Sequence, residues 1–265
     1  FKNNRPIDGT PGGAMLNTAV SLGRIGTDVF LVSGISEDKI GEIILGFLTS
    51  NRVSTDYVKR LENQLARVAL AFLDKNNNAS YSFYKLPYTQ KTELNFPIPE
   101  KDDIVLFGSY YGIKKEIRES LFQFLEQCQT KRTLVIYDPN FRKNHIRLLP
   151  EVKPMILENF SFSDIVKGSD EDFENIFGPI PVEDIYNCYA RPGAVWLCTR
   201  GSREVLMIDR ENCYHFPVTP LKPVSTIGAG DSFNAGLIYG ILQAGNDTLF
   251  EKRNRKNIFV PIVEA

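Results

Sequence analysis

The sequence predicts an α/β fold, a mostly parallel β-sheet flanked by helices, and three observations predict it. Between residues 103 and 218, short apolar runs of strand length alternate with segments of helical period. Polar residues collect just beyond those runs: Asn140 and Arg142, Lys167 and Ser169, then Thr199 and Gly201. In parallel sheets that edge is where ligands bind. One polar residue after a strand means little because turns are polar, but a succession of them points to a site. Third, a glycine-rich stretch from Thr226 to Gly240 opens an apolar helix with a single carboxylate, Asp231, at the join.

Taken in order, residues 12–26 have helical spacing, with apolar Leu16, Ala19 and Val20 after the paired Gly12 and Gly13, and with Gly26 closing the helix. Residues 29–33 are a continuous apolar run and read as a buried strand. Residues 38–48 return to helical period. Residues 67–73 and 79–84 flank a polar turn at 74–78 and predict a hairpin, whose alternation of Tyr81 and Phe83 with serines suits a half-exposed ribbon. A strand is predicted at 104–107, a helix over 114–127, and a strand at 133–137 running into Asp138-Pro139-Asn140-Phe141-Arg142. Strands at 165–167 and 194–198, a helix from 169–172 towards Phe177, and a hairpin of 204–208 with 214–218 follow, before a helix over 232–243.

With 265 residues the chain is long enough for one large α/β domain or two small ones, and 43% hydrophobic with 24% charged residues is ordinary for a soluble globular protein. A formal net charge of −1 gives no electrostatic reason to expect nucleic acid or an anionic membrane as partner. No run approaches the roughly 18 apolar residues of a membrane span. Cys128, Cys188, Cys198 and Cys213 lack metal-ligand spacing and read as reduced core thiols of a cytoplasmic protein. His145 and His215 are too isolated for a His-based site and read as surface or loop residues. The abrupt first residues, with no initiator Met, give the expectation of a missing leading strand. Loss of periodicity past Ala244, with a basic run at 252–256, gives the expectation of a stretch absent near Phe250.

The chemistry centres on Gly228, Ala229, Gly230 and Asp231. At the first turn of a helix several backbone N–H groups lack an intrahelical acceptor, and glycines there let an anion approach the backbone at the positive end of the helix dipole. Asp231 reads in two ways. It is either a first-turn helix-stabilising carboxylate or a base that takes a proton from a hydroxyl attacking a phosphate held by those amides. A Rossmann fingerprint is excluded because position 233 is Phe, and the Gly-Lys-Ser/Thr of a P-loop occurs nowhere. Gly12, Gly13 and Asn17 likewise fit either a tight turn with an outward Asn or contacts to a small polar ligand.

These residues resemble the ribokinase-like (PfkB) carbohydrate kinases from Gly12 to about Gly245. The family's first signature is similar to residues 12–41. Its second, which is highly specific, is similar to Ser225-Thr226-Ile227-Gly228-Ala229-Gly230-Asp231-Ser232-Phe233, and the Asp138 to Arg142 run is typical of its sugar kinases. The resemblance implies a single ribokinase-like domain over 1–265, a three-layer sandwich with a small discontinuous β lid from about 1–13 and 60–92. It implies Gly12, Gly13, Asn17, Tyr84, Asn140 and Arg142 on the sugar side. Lys167, Ser169, Thr199 and Gly201 would line the nucleotide, the amides of Gly228, Ala229 and Gly230 would form the anion hole, and Asp231 would be the general base. ATP and Mg²⁺ are the implied cofactors. Ser169-Asp170-Glu171-Asp172 replaces the family's Asn-x-x-Glu, so Asp172 would reach Mg²⁺ through water. Ser225 stands where an Asp is common, which leaves a monovalent-cation site open.

The leading expectation is an ATP-dependent fructokinase making fructose 6-phosphate, resting on the Gly-Gly-Ala opening, the Asp138 to Arg142 run and the aromatic ribbon. A 2-keto-3-deoxygluconate kinase is the nearest alternative, since Tyr84, Lys85 and Arg142 could meet a substrate carboxylate. Ribose and nucleoside acceptors rank below both. A catalytically idle member that binds sugar or a protein partner is the reading from another class. The exposed aromatics of the ribbon give the expectation of a homodimer through the lid.

Overall fold

A computed structural model of the chain describes residues 9–73, 79–84, 94–109, 111–221 and 226–244. The expectations about the first residues, Ser225, Lys85 and the stretch beyond Ala244 lie outside the described residues. The chain divides into two compact units, Phe1–Phe96 and Pro97–Ala265.

The first unit holds α1 (Ala14–Arg24), β1 (Val29–Phe30), β2 (Ser33–Ser36), α2 (Lys39–Ser50), β3 (Val53–Ser54), β4 (Val58–Leu61), β5 (Val68–Leu73) and β6 (Ala79–Tyr84). Its core gathers Ala19, Val20, Leu31, Ile35, Leu48 and Val53. The buried strand expected over 29–33 is instead two short strands: β1 pairs in parallel with β3, and β2 with β4. Phe30 is 52% exposed: a strand is buried on both faces only where helices cover both, and in β1 Val29 is half-buried while Phe30 points outward. Asp38 begins α2 as expected. One carboxylate oxygen accepts from the Gly41 amide and the Ser36 hydroxyl, both at 2.8 Å, and the other from the Ala66 amide at 2.8 Å. The backbone bonds from Ala66 and Gly41 hold its carboxyl below the usual range. The predicted hairpin is present, β5 pairing antiparallel with β6 from Val68 opposite Tyr84 to Leu73 opposite Ala79.

The second unit holds β7 (Ile104–Gly108), α3 (Arg118–Lys131), β8 (Leu134–Asp138), α4 (Leu149–Phe162), β9 (Ile165–Ser169), α5 (Asp170–Phe177), α6 (Val182–Tyr189), β10 (Val195–Thr199), β11 (Glu204–Ile208), β12 (Cys213–Pro217) and α7 (Ala229–Ala244). The strands form one six-stranded sheet in the order β12-β11-β10-β9-β8-β7. Strands β7 to β10 are parallel and β11 and β12 antiparallel, as the alternation and the terminal hairpin predict. Trp196, fully buried on β10, packs against Phe160 of α4, Phe173 of α5 and Tyr186 of α6, with ring centroids 4.7, 5.5 and 5.8 Å away. Helix α3 starts four residues later than expected because Lys115–Ile117 forms a 3-10 turn first. Helix α7 starts three residues earlier, at Ala229. Helices α4 and α6 were not among the expected elements.

Helix α5 begins with a reciprocal cap: the Ser169 hydroxyl accepts from the Asp172 amide at 3.1 Å, and the Asp172 carboxylate accepts from the Ser169 amide at 2.8 Å. Ser169→Ala is expected to cost about 1 kcal/mol of stability, read as a lowered urea midpoint; an unmoved midpoint removes the cap from the account.

Only Cys128 and Cys198 are core thiols, raised by burial to about 12, whereas Cys188 is exposed and Cys213 half-buried. His215 is exposed on β12, its Nδ1 2.9 Å from Glu204. Among the described residues no helix is long and apolar enough to cross a membrane.

Candidate active site

The parallel register brings the C-terminal ends of β7 and β8 level with each other, and those of β9 and β10 level two residues further along the same edge. Gly108 of β7 lies opposite Asp138 of β8, and Ser169 of β9 opposite Thr199 of β10. At that edge Asp138 is 2% exposed and its carboxylate organises the neighbourhood. One oxygen accepts from Lys167 Nζ at 3.0 Å and from Asn234 Nδ2 at 2.7 Å; the other accepts from the Asn140 amide at 3.1 Å. Asn140 takes a left-handed turn, φ 41°, which Asn tolerates better than most side chains. Its side-chain oxygen accepts from Arg142 Nε at 2.7 Å. Between them the buried Phe141 anchors the loop, and its carbonyl accepts from Asn175 Nδ2 at 3.0 Å. Asn140 is thereby fixed at the strand tip, with Arg142 exposed beside it.

Helix α7 arrives at the same network. The first helical bond runs from the Ser232 amide to the Gly228 carbonyl at 2.8 Å, and Gly228 has φ 80°, a conformation that suits glycine. Ala229 and Gly230 therefore form the first turn, at the positive end of the dipole. A Cβ on Gly230 would stand 3.1 Å from Lys167 Nζ, so the buried ammonium lies directly against the glycine turn. Asp231, half-buried, folds back over the same end: its Oδ2 is 3.9 Å from where a Cβ on Gly228 would be. Gly228, Ala229, Gly230, Asp231, Lys167, Asn140 and Arg142 are thus assembled at one strand edge through Asp138 and Asn234.

Lys167, expected beside a nucleotide, is 4% exposed and already ion-paired with Asp138. Thr199 closes β10, its hydroxyl 3.4 Å from the Gly168 carbonyl, and Gly201 turns the chain at φ 60° towards β11. Asp172 is 5% exposed with its carboxyl raised, chiefly by burial. One of its oxygens is engaged by the Ser169 amide and hydroxyl. No group of three His, Cys, Asp or Glu side chains among the described residues could hold a metal ion unaided. An Mg²⁺ ion would therefore have to bring phosphate oxygens and its own waters to this edge to complete its shell.

In the first unit, Gly12 and Gly13 precede α1 with open space where a Cβ would point, and the Asn17 amide makes the first helical bond to the Gly13 carbonyl at 2.8 Å. Tyr84 ends β6 and is 60% exposed.

Two residues of the assembly were not expected. Asp138 opens the Asp-Pro-Asn-Phe-Arg run, but as a strand-terminal residue it gave no sign of turning inward. Asn234 follows Asp231 by three residues, on the same side of α7, and its signal is an amide between Phe233 and Ala235 at the start of the mostly apolar stretch of that helix.

Residues 5–249 match the pfkB family carbohydrate kinase. The chain belongs to that family. This kinase is 30% identical over 251 residues to a fructokinase of Rhizobium leguminosarum bv. trifolii, covering 91% of the chain and 74% of the relative. A sugar kinase from Pyrococcus horikoshii, solved in complex with ATP, matches with TM-score 0.77 and 26% identity over 93% of this kinase and 80% of that chain. An apo fructokinase from Vibrio cholerae O395 matches with TM-score 0.81 over 96% of this kinase and 87% of that chain; at 21% identity it speaks for the fold alone. The ribokinase-like α/β fold expected from the sequence is borne out, and the kinase is a phosphotransferase acting on a carbohydrate.

Proposed function

We propose that this kinase transfers the γ-phosphoryl group of ATP to the 6-hydroxyl of fructose. The observation that carries the reading is the placement of Asp231 back over the glycine turn of α7, so that one short segment offers both a base and an anion site. The fructose hydroxyl oxygen forms a bond to the γ-phosphorus while the bond to the bridging oxygen of ADP breaks, and the hydroxyl proton passes to the Asp231 carboxylate. Amides of Gly228 and Gly230 face the charge on the transferring group, and that of Ala229, which here donates to the Thr226 carbonyl at 3.2 Å, joins them on release from that turn; phosphoryl transfer asks for little more than such positioning and neutralisation. Mg²⁺, carried by the nucleotide, supplies charge neutralisation on the phosphates. Asn140 and Arg142 bind the sugar in the second unit, and Gly12, Gly13, Asn17 and Tyr84 are the sugar-binding residues that the resemblance assigns to the first. Ser169, Thr199 and Gly201 line the nucleotide, and Asp172 would help to hold the ion. Tyr84 and Phe72, exposed towards opposite ends of the β5–β6 ribbon, support a homodimer built through the lid, in the cytoplasm.

Fructose is favoured over other sugars by the fructokinase relative at 30% identity. A second reading has its own observation. Arg142 is exposed with its Nε bonded to Asn140, and such a guanidinium suits a carboxylate, which 2-keto-3-deoxygluconate has and fructose lacks. Coupled ADP release over a panel of sugars and sugar acids decides between them. Turnover is expected on fructose; turnover on the keto acid alone transfers the assignment to that substrate, and none on any acceptor leaves a binding protein without catalysis.

A further inference from the structure

We infer that Asp138, Lys167 and Asn234 are positioning residues that set the glycine turn of α7 in register with the Asn140–Arg142 pair. The inference rests on the functional reading above and deepens it.

A single oxygen of Asp138 accepts from Lys167 on β9 and from Asn234 on α7, while Asp138 itself ends β8. Three elements therefore meet at one atom. The other Asp138 oxygen holds the Asn140 amide, and Asn140 holds Arg142. Any displacement of the α7 head is thus read out against the strand tip through two hydrogen bonds. Lys167 contributes twice: it neutralises the buried carboxylate, and its ammonium fills the space a side chain at position 230 would need.

Asn234 carries the sharper sign of a positioning role. It is fully buried, and its Oδ1 has no hydrogen-bond partner among the described residues. Burying an acceptor unpaired is unfavourable, so an apolar side chain of similar size would suit packing at least as well. What the amide supplies, and a hydrocarbon cannot, is the 2.7 Å bond to Asp138 one turn below Asp231.

The test is Asn234→Leu, with Asn234→Ala beside it, assayed against the wild-type kinase on whichever acceptor the sugar panel identifies. Misplacing a reacting group by about 1 Å can cost on the order of 100-fold, so kcat is expected to fall about 10- to 100-fold. KM for ATP and for the acceptor should stay within about threefold, because binding contacts are untouched. The melting temperature should remain within about 4 °C, roughly what 1 kcal/mol moves in a protein of this size. Unchanged kcat in either folded variant overturns the inference, as does a rise in KM that accounts for the whole loss. Failure of both variants to fold makes Asn234 a packing residue and overturns it too. Absence of wild-type turnover on every acceptor defeats the functional reading first, and this inference with it.

Discussion

Asp231→Ala is expected to lower turnover by a factor of about 10² to 10⁴, the usual weight of a positioned base. The sequence left two roles open for this carboxylate, and the geometry makes them separable. With Gly228 as the residue before the first helical turn, Asp231 is the third residue of α7, where a negative side chain also interacts with the helix dipole. That interaction is worth about 0.3 to 1 kcal/mol. A carboxylate that only stabilises the helix end would, on removal, lower the urea midpoint slightly and leave turnover intact. A base gives the opposite pattern, a large fall in kcat with a small change in midpoint. Asp231→Asn sharpens the comparison because it keeps shape and hydrogen-bonding capacity while losing the proton acceptor. Coupled ADP release at saturating ATP and acceptor, with urea denaturation of the same preparations, reads both quantities. Turnover within a factor of three of wild type in both variants would remove Asp231 from the chemistry.

What the sequence reveals of such a site is the order of elements and the residues that fall at their ends. What it conceals is which of those residues turn inward. Asn140, Arg142, Lys167 and Asp231 were all visible as polar residues beyond apolar runs, and the structure gathers them at one edge. Asp138 belonged to the same run yet was read as a strand end, because nothing local says that its carboxylate will meet a lysine from the next strand. Lys167 was read as facing a ligand for the mirror-image reason. Only the alignment of β8 and β9, set by long-range pairing, places the two side by side. Helix α4 was missed although Val152, Ile156 and Phe160 lie on one face and are buried. Pro150, in the first turn of α4, costs little, but Pro154 lies inside the helix, where a proline ordinarily signals a break, and it obscures the pattern. The exposed Phe30 in a run read as buried shows the same limit: composition marks a strand, but the layers packed on its two faces decide what is covered.

Lys167→Met separates the two accounts of that lysine. If it serves a nucleotide phosphate, its loss should raise KM for ATP and leave stability unchanged. The geometry argues otherwise, since the ammonium is 5% exposed, the Asp138 carboxylate 3% exposed, and the two lie 3.0 Å apart. Removing one partner leaves the other charge buried without its counter-ion, which typically costs about 3 to 5 kcal/mol. Asn234 would still donate to the stranded carboxylate, so the lower part of that range is expected. Removing both charges in Lys167→Met with Asp138→Leu should recover part of the stability lost in Lys167→Met alone, because an apolar replacement carries no uncompensated charge. It should not recover turnover, since the anchor common to β8, β9 and α7 is then gone. Urea midpoints of the single and double variants measure the first effect and ADP release the second. A single variant with an unmoved midpoint and a raised KM for ATP would return Lys167 to the nucleotide.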